Sequence, residues 1–232
     1  MFDELKRRVY EANMCLPKYN LVTFTWGNVS MADRENGVAA IKPSGVKYEE
    51  LTPEDIVIVD LKTGERIDGD KKPSSDTPTH LELYRSFDGA GGIVHTHSRW
   101  AASFAQAGAA IIPMGTTHAD YFCGEIPCTG DLTADAINGE YEKETGIAVA
   151  EMFKNIDPMS IPAALVKNHG PFTWGADAEE AVRNAVVLEE IAFINYHAMK
   201  INSEAKKISD ELLNKHYFRK HGIHAYYGQD NK

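Results

Sequence analysis

Gly91-Gly92-Ile93-Val94-His95-Thr96-His97-Ser98-Arg99-Trp100-Ala101-Ala102-Ser103-Phe104-Ala105-Gln106-Ala107-Gly108 reads as a β-strand running directly into an α-helix. The glycine pair releases the chain from the preceding element, and the β-branched Ile93 and Val94 favour an extended backbone. Ser98 to Ala107 has a helical pattern, and Gly108 is placed to stop it. A strand that feeds a helix without a linker points to an α/β architecture. Within the extended part, a period of two puts His95 and His97 on the same side.

Working outward, other segments repeat this alternation. Phe2, Leu5, Val9, Ala12 and Leu16 recur at helical spacing, so the chain is expected to open with an amphipathic helix ending near Pro17. Val22, Phe24 and Trp26 alternate with Thr23 and Thr25 up to Gly27 and read as a strand, as do Ala39 to Ile41 and Ile56 to Val59. Thr77-Pro78 reads as an N-cap followed by proline at the first helical position. Downstream, a loop-rich stretch runs from Gly115 to Gly130, with a helix around Ile147 to Phe153 and a strand from Ala163 to Val166. Asp177 and Glu180 resemble a capping box opening the longest helix, to about Met199, and Ser209 to Lys220 reads as the last helix. Without repeats or linkers, residues 1–232 are expected to form a single three-layer α/β/α domain with helices on both faces of one sheet.

Composition narrows the function. No apolar run among the 232 residues approaches the roughly 20 needed to span a bilayer, so no membrane partner is expected. The mixed-charge N-terminus lacks the apolar core of an export signal. Cys15, Cys123 and Cys128 are an odd number without a C-x-x-C pair, which fits a reducing, cytoplasmic compartment. A net charge of −10 argues against binding a nucleic acid backbone, although a single phosphate can still be held by N–H groups, hydroxyls and one lysine.

His95 and His97 at the end of one strand, with His169 after the strand Ala163 to Val166, offer three imidazoles and leave an open coordination position. An H-x-H pair alone is a weak signal, since such histidines also serve as surface or capping residues. His169 in Asn168-His169-Gly170-Pro171 and the carboxylate of Asp76 strengthen the metal reading. The N/O donor set suits Zn2+, with Mn2+ or Co2+ as alternatives. No G-x-G-x-x-G follows a predicted strand, so no NAD is expected.

Six segments, in order along nearly the whole chain, carry a specific resemblance: Thr25-Trp26-Gly27-Asn28-Val29-Ser30, Lys42-Pro43-Ser44-Gly45, Pro73-Ser74-Ser75-Asp76-Thr77-Pro78-Thr79-His80, His95-Thr96-His97-Ser98, Gly115-Thr116-Thr117-His118-Ala119-Asp120-Tyr121-Phe122, and Ala225-Tyr226-Tyr227-Gly228-Gln229. Together they resemble the ribulose-phosphate 4-epimerase branch of the class II aldolase and adducin head family. The resemblance implies a class II aldolase-like α/β/α fold with a central, mostly antiparallel sheet. It implies zinc at His95, His97 and His169, with Asp76 as a fourth ligand or close neighbour. Phosphate would be held by Gly27, Asn28, Ser44, Gly45, Ser74 and Ser75, with Lys42 nearby. Asp120 and Tyr227 would be the acid/base pair, contributed by neighbouring subunits of a homotetramer, while Thr116, Glu142 and His216 are weaker candidates.

The implied activity is epimerisation of L-ribulose 5-phosphate to D-xylulose 5-phosphate by retro-aldol cleavage of C3–C4, rotation of the aldehyde and re-addition, as in pentose degradation. Related fuculose-phosphate-type aldolases resemble this chain but place glutamate where Asp76 stands, which favours the epimerase. A class II aldolase that releases its aldehyde is the alternative, and a non-catalytic, adducin-like interaction module is a third reading.

Overall fold

The computed structural model describes residues 2–221 together with 225 and 226. In chain order it places α1 (Asp3–Lys18), β1 (Gly27–Asp33), β2 (Val38–Ile41), β3 (Val57–Asp60), β4 (Arg66–Asp68), α2 (Thr77–Ser86), β5 (Gly92–Thr96), α3 (Arg99–Ala107), α4 (Thr116–Ala119), α5 (Ala134–Asn138), α6 (Tyr141–Met152), β6 (Ala163–Val166), β7 (Gly170–Gly175), α7 (Ala178–Ile201) and α8 (Asp210–Lys220). The seven strands form one sheet in the order β4-β3-β2-β1-β5-β7-β6, and every neighbouring pair is antiparallel.

The strand period sorts side chains to the two faces. Ala39, Val57, Val59, Ile93, Phe172 and Trp174 pack with Leu81, Leu83 and Tyr84 of α2 and with residues of α3 and α6. On the opposite face, Val29 and Val94 meet Ala12 and Leu16 of α1 and the first half of α7, and Ala40 and Ile58 meet Val9. The sheet is therefore covered on both sides, as the sequence alternation led us to expect. Fully burying an aliphatic side chain such as Val9 or Leu16 contributes roughly 1.5–3 kcal/mol per side chain.

Several local readings need correction. Residues 22–26 are a loop, not a strand: Trp26 N–H donates to the Thr23 carbonyl and Gly27 N–H to that of Thr25, in tight turns that break the extended path. Their apolar alternation comes instead from aromatic rings left on the surface, Phe24 and Trp26. Asp76, rather than Thr77, holds the N-cap position of α2 without capping it through its side chain, and Thr77 donates to the Ser74 carbonyl. At α7, Asp177 accepts from the Glu180 N–H as a cap should, but the Glu180 carboxylate reaches Ala176 N–H one residue further back. The strand β7 was hidden by its Gly-Pro start, which reads locally as a turn.

One buried polar residue ties α1 to the sheet. Asn13, fully buried, accepts from the Val29 N–H at 2.9 Å and donates to the carbonyls of Val29 and Val9. Replacing it by alanine strands the Val29 groups in the interior, at about 1–3 kcal/mol. Asn13→Ala should lower unfolding stability by that amount in a denaturant titration, with an unchanged slope.

Candidate metal centre

The centre is built on a row of side chains that crosses three strands. Asn28 of β1 is registered opposite His95 of β5, and His95 is opposite Phe172 of β7. Phe172 stacks on the His95 ring, with centroids 4.3 Å apart and planes at 18°. His97 follows two residues after His95, just past the end of β5. His169 sits in the three-residue connection between β6 and β7, where Asn168 takes the left-handed conformation, φ +62°, that asparagine tolerates. Ring nitrogens of His95, His97 and His169 all lie within 4.8 Å of one another.

Two glycines allow that approach. At Gly170 an added Cβ would meet the Thr96 carbonyl oxygen at 2.6 Å, so only glycine lets the hairpin close on β5. At Gly27, with φ +146°, it would meet Val22 Cγ1 at 2.7 Å and the His95 carbonyl oxygen at 3.0 Å.

The donor set suits a divalent ion. His95 Nδ1 lies 3.0 Å from the Pro171 carbonyl oxygen, an acceptor, which assigns the proton to Nδ1 and leaves Nε2 as a lone pair. That Nε2 faces His97 Nε2 at 3.1 Å. Burial lowers the pKa of all three imidazoles, keeping them in the neutral form that ligates. Tyr141, whose hydroxyl is 3.5 Å from His169 Nδ1, stands behind the third ring.

The Asp76 carboxylate lines the same cavity but lies outside the 4.8 Å group. It accepts from Asn28 Nδ2 at 2.7 Å and, more weakly, from Ser74 Oγ. Burial pushes its carboxyl up, and the hydrogen bond from the Asn28 amide opposes that push.

The cavity encloses roughly 440 Å³, within the range of small-molecule sites. Its walls bring together Gly27, Asn28, Lys42, Ser44, Gly45, Ser74, Ser75, Asp76, His95, His97, His169 and Glu142, all singled out from sequence. The two loops of the oxygen-rich wall are tied to each other: Ser44 N–H donates to the Lys72 carbonyl, Ser74 N–H to that of Lys42, and Asn28 Nδ2 to Ser74 Oγ. Lys42 has its ammonium turned into its own loop, donating to the Val46 carbonyl at 2.6 Å and lying 4.9 Å above the Tyr48 ring, whose hydroxyl donates to the Gly27 carbonyl. Burial pushes that ammonium down to about 8.

Asp120 is elsewhere. It lines a different cavity, with Tyr121, Arg183, Lys220 and His221. Its carboxylate accepts two hydrogen bonds from Arg219, at 3.0 and 2.7 Å, and one from His216 Nδ1 at 3.0 Å. Burial pushes its carboxyl up, but the Arg219 and His216 hydrogen bonds and the charge of Lys220 prevail and hold it low. Thr116, at the start of α4, is exposed and accepts the Asp120 N–H through its carbonyl. Tyr227 lies outside the described residues. Sequence reasoning missed Trp26 and Tyr141 in the cavity wall, and Arg219 beside Asp120. The tryptophan and tyrosine flank residues already chosen, Gly27 and Glu142, while nothing local links Arg219 to a residue 99 positions away.

A covered antiparallel sheet with a tri-histidine cleft at one strand end defines a class of α/β/α proteins with a candidate metal site. The chain belongs to the class II aldolase and adducin N-terminal domain family, whose model matches residues 7–196. Among solved structures, an L-fuculose 1-phosphate aldolase superposes with a TM-score of 0.81 at 24% identity, over 93% of this chain and 95% of that one. The L-fuculose-1-phosphate aldolase of Thermus thermophilus is 27% identical, with a TM-score of 0.67 over 88% of this chain and 98% of its own. A sugar-phosphate aldolase from Thermotoga maritima is 19% identical, with a TM-score of 0.67 over 86% and 96%. All three cysteines are free, and among the described residues no helix is long and apolar enough to cross a membrane.

Titration with Co2+ should saturate at one equivalent per chain, and His97→Asn should weaken binding by at least roughly 100-fold, since even residues that only orient ligands cost 10–100-fold. Circular dichroism should show chelated protein and variant still folded, because the core packs without the site.

Proposed function

We propose that the chain is a zinc-dependent epimerase that interconverts L-ribulose 5-phosphate and D-xylulose 5-phosphate by breaking and remaking the C3–C4 bond. The observation that carries this reading is that three neutral imidazoles and an oxygen-rich, loop-built cradle share one cavity. Held by His95, His97 and His169, Zn2+, or Mn2+ or Co2+ in its place, would supply Lewis acidity toward the vicinal oxygens of a ketose. Asp76 stays beside the cluster, committed to Asn28.

The phosphate is assigned to the wall of Gly27, Asn28, Ser44, Gly45, Ser74 and Ser75, whose hydroxyl and N–H groups donate to phosphate oxygens. Lys42 orders that wall from inside its loop. Asp120 and Tyr227 are assigned to proton transfer: one takes the C4 hydroxyl proton as the aldehyde forms, and the other returns a proton to the C4 alkoxide after addition to the opposite face. Asp120 lies in another cavity of its own chain, which supports a site completed by a neighbouring subunit of a homotetramer. Glu142 and His216 are then groups that orient the cluster and Asp120.

A second reading, an aldolase that releases its aldehyde, is favoured by the 27% identity to the Thermus fuculose-phosphate aldolase. A non-catalytic interaction module, by contrast, has no use for a neutral tri-histidine cluster, and the cobalt titration separates it from both enzymes.

Incubation with L-ribulose 5-phosphate in deuterium oxide distinguishes the enzymes. The epimerase yields D-xylulose 5-phosphate without deuterium at C3 or C4, because a carbon–carbon bond is broken rather than a carbon–hydrogen bond. Accumulation of free glycolaldehyde phosphate and dihydroxyacetone as the only products would establish the aldolase instead.

Shared sites make a separate prediction. Asp120→Asn and Tyr227→Phe should each be nearly inactive, and their random co-assembly in a closed ring should restore about a quarter of the sites. Recovery no greater than the sum of the separate variants, with mixed oligomers verified by mass, excludes sharing.

A further inference from the structure

The loop at residues 22–26 carries two large exposed rings beside the imidazole cavity, and its backbone is held there at a cost. Phe24 stands at φ +53°, a left-handed conformation that bulky residues rarely adopt, and it is 77% exposed. Neither backbone preference nor burial accounts for its position, the kind of outlier that points to function. Trp26 is 53% exposed, meets Phe24 edge to face at 5.7 Å, and lines the cavity with its indole 6.4 Å from the His97 ring. Gly27, wedged against the His95 carbonyl, follows immediately and anchors the loop. The indole thus lines the cavity beside His97, next in sequence to the Gly27–Asn28 end of the cradle.

We propose that Trp26 is a specificity-determining residue: an apolar wall on which the phosphorylated two-carbon aldehyde stays while it turns, with Phe24 supporting the indole. This inference rests on the proposed epimerase function. Inversion requires that the aldehyde present its other face to the same three-carbon fragment before it escapes. The electron pair of C3–C4 stays on that fragment, the C4 hydroxyl proton leaves as the aldehyde forms, and a proton returns to the new alkoxide on re-addition. No bond to Trp26 forms or breaks. A polar wall would hold the carbonyl in one orientation by hydrogen bonds, which rotation would have to break. An indole face attracts the carbons without imposing a direction, and it excludes water that would otherwise carry the aldehyde away.

The test compares Trp26→Ala and Trp26→Phe with the wild-type chain, loaded with metal, on L-ribulose 5-phosphate. The readout is the ratio of free glycolaldehyde phosphate to D-xylulose 5-phosphate. Trp26→Ala should raise that ratio about tenfold or more, the size of effect expected for losing an aromatic contact, and Trp26→Phe should raise it less. A second measurement does not depend on turnover. The chain has 3 tryptophans, of which Trp174 is buried in the core and Trp100 packs on Phe193 and Tyr196. A fluorescence change on adding 2-phosphoglycolate should therefore appear in the wild type and vanish in Trp26→Phe.

An unchanged product ratio in Trp26→Ala, or a fluorescence response that survives in Trp26→Phe, overturns the proposal. So does a change in oligomeric mass in Trp26→Ala without a change in ratio, which would make the aromatic pair a subunit contact. If the wild-type chain yields only free aldehyde, the epimerase reading fails by itself, and the fluorescence measurement alone decides whether the indole contacts the aldehyde phosphate.

Discussion

Packing three imidazole rings with nitrogens inside a single 4.8 Å group is the constraint on which the rest of the site depends. Neutral imidazole loses hydrogen bonds to water on burial, so each ring needs compensation from the protein. His95 obtains it from the Pro171 carbonyl and from the face of Phe172, both on the neighbouring strand β7. That arrangement requires β5 and β7 to be paired in the observed register, and it requires the β6–β7 hairpin to close tightly enough to bring in His169. The absence of a side chain at Gly170 is what permits the closure. Because burial also keeps the rings deprotonated, the packing that builds the cluster makes it able to ligate.

The oxygen-rich wall is polar without depending on the overall charge of the protein. Its hydrogen-bond donors are local hydroxyl, amide and backbone groups, whose character is the same at a net charge of −10. The one lysine in the wall has its ammonium directed into the Val46 carbonyl and over Tyr48, and Tyr48 in turn holds Gly27. Lys42 and Tyr48 together therefore link two loops of this wall. In a different cavity, Asp120 is gripped by Arg219 and His216 of α8. It does not line the imidazole cavity of its own chain.

Much of this was legible in local pattern. The strand at Ala163–Val166 and the helix stopped by Gly108 follow from short-range preferences, and Gly108 indeed takes φ +63° at the helix end. The failures also have physical causes. The alternation of Val22, Phe24 and Trp26 imitates a half-buried strand, but tertiary placement leaves both aromatic rings on the surface. Pro171 obscured β7 because a proline between two neighbouring strands is disfavoured locally, whereas here its carbonyl is needed by His95. The first turn of α3 is capped not by Ser98 but by Glu189 of α7, whose carboxylate accepts from the N–H groups of Trp100 and Ala101. No window of sequence around α3 contains that partner.

What the sequence determined by itself was the chemistry available: imidazoles at a spacing of two, a third after a strand, and Ser, Gly and Asn in short loops beside them. Side-chain type and strand period are local properties, and they survive in any arrangement of the elements. Only the tertiary structure decided which of these groups share a cavity. Strand order and register bring Asn28, His95 and Phe172 into one row from positions 67 and 77 residues apart, while Asp120, after α4, lines a different cavity. Such distances are set by long-range pairing, whose free energy depends on both strands at once and so cannot be read from either alone.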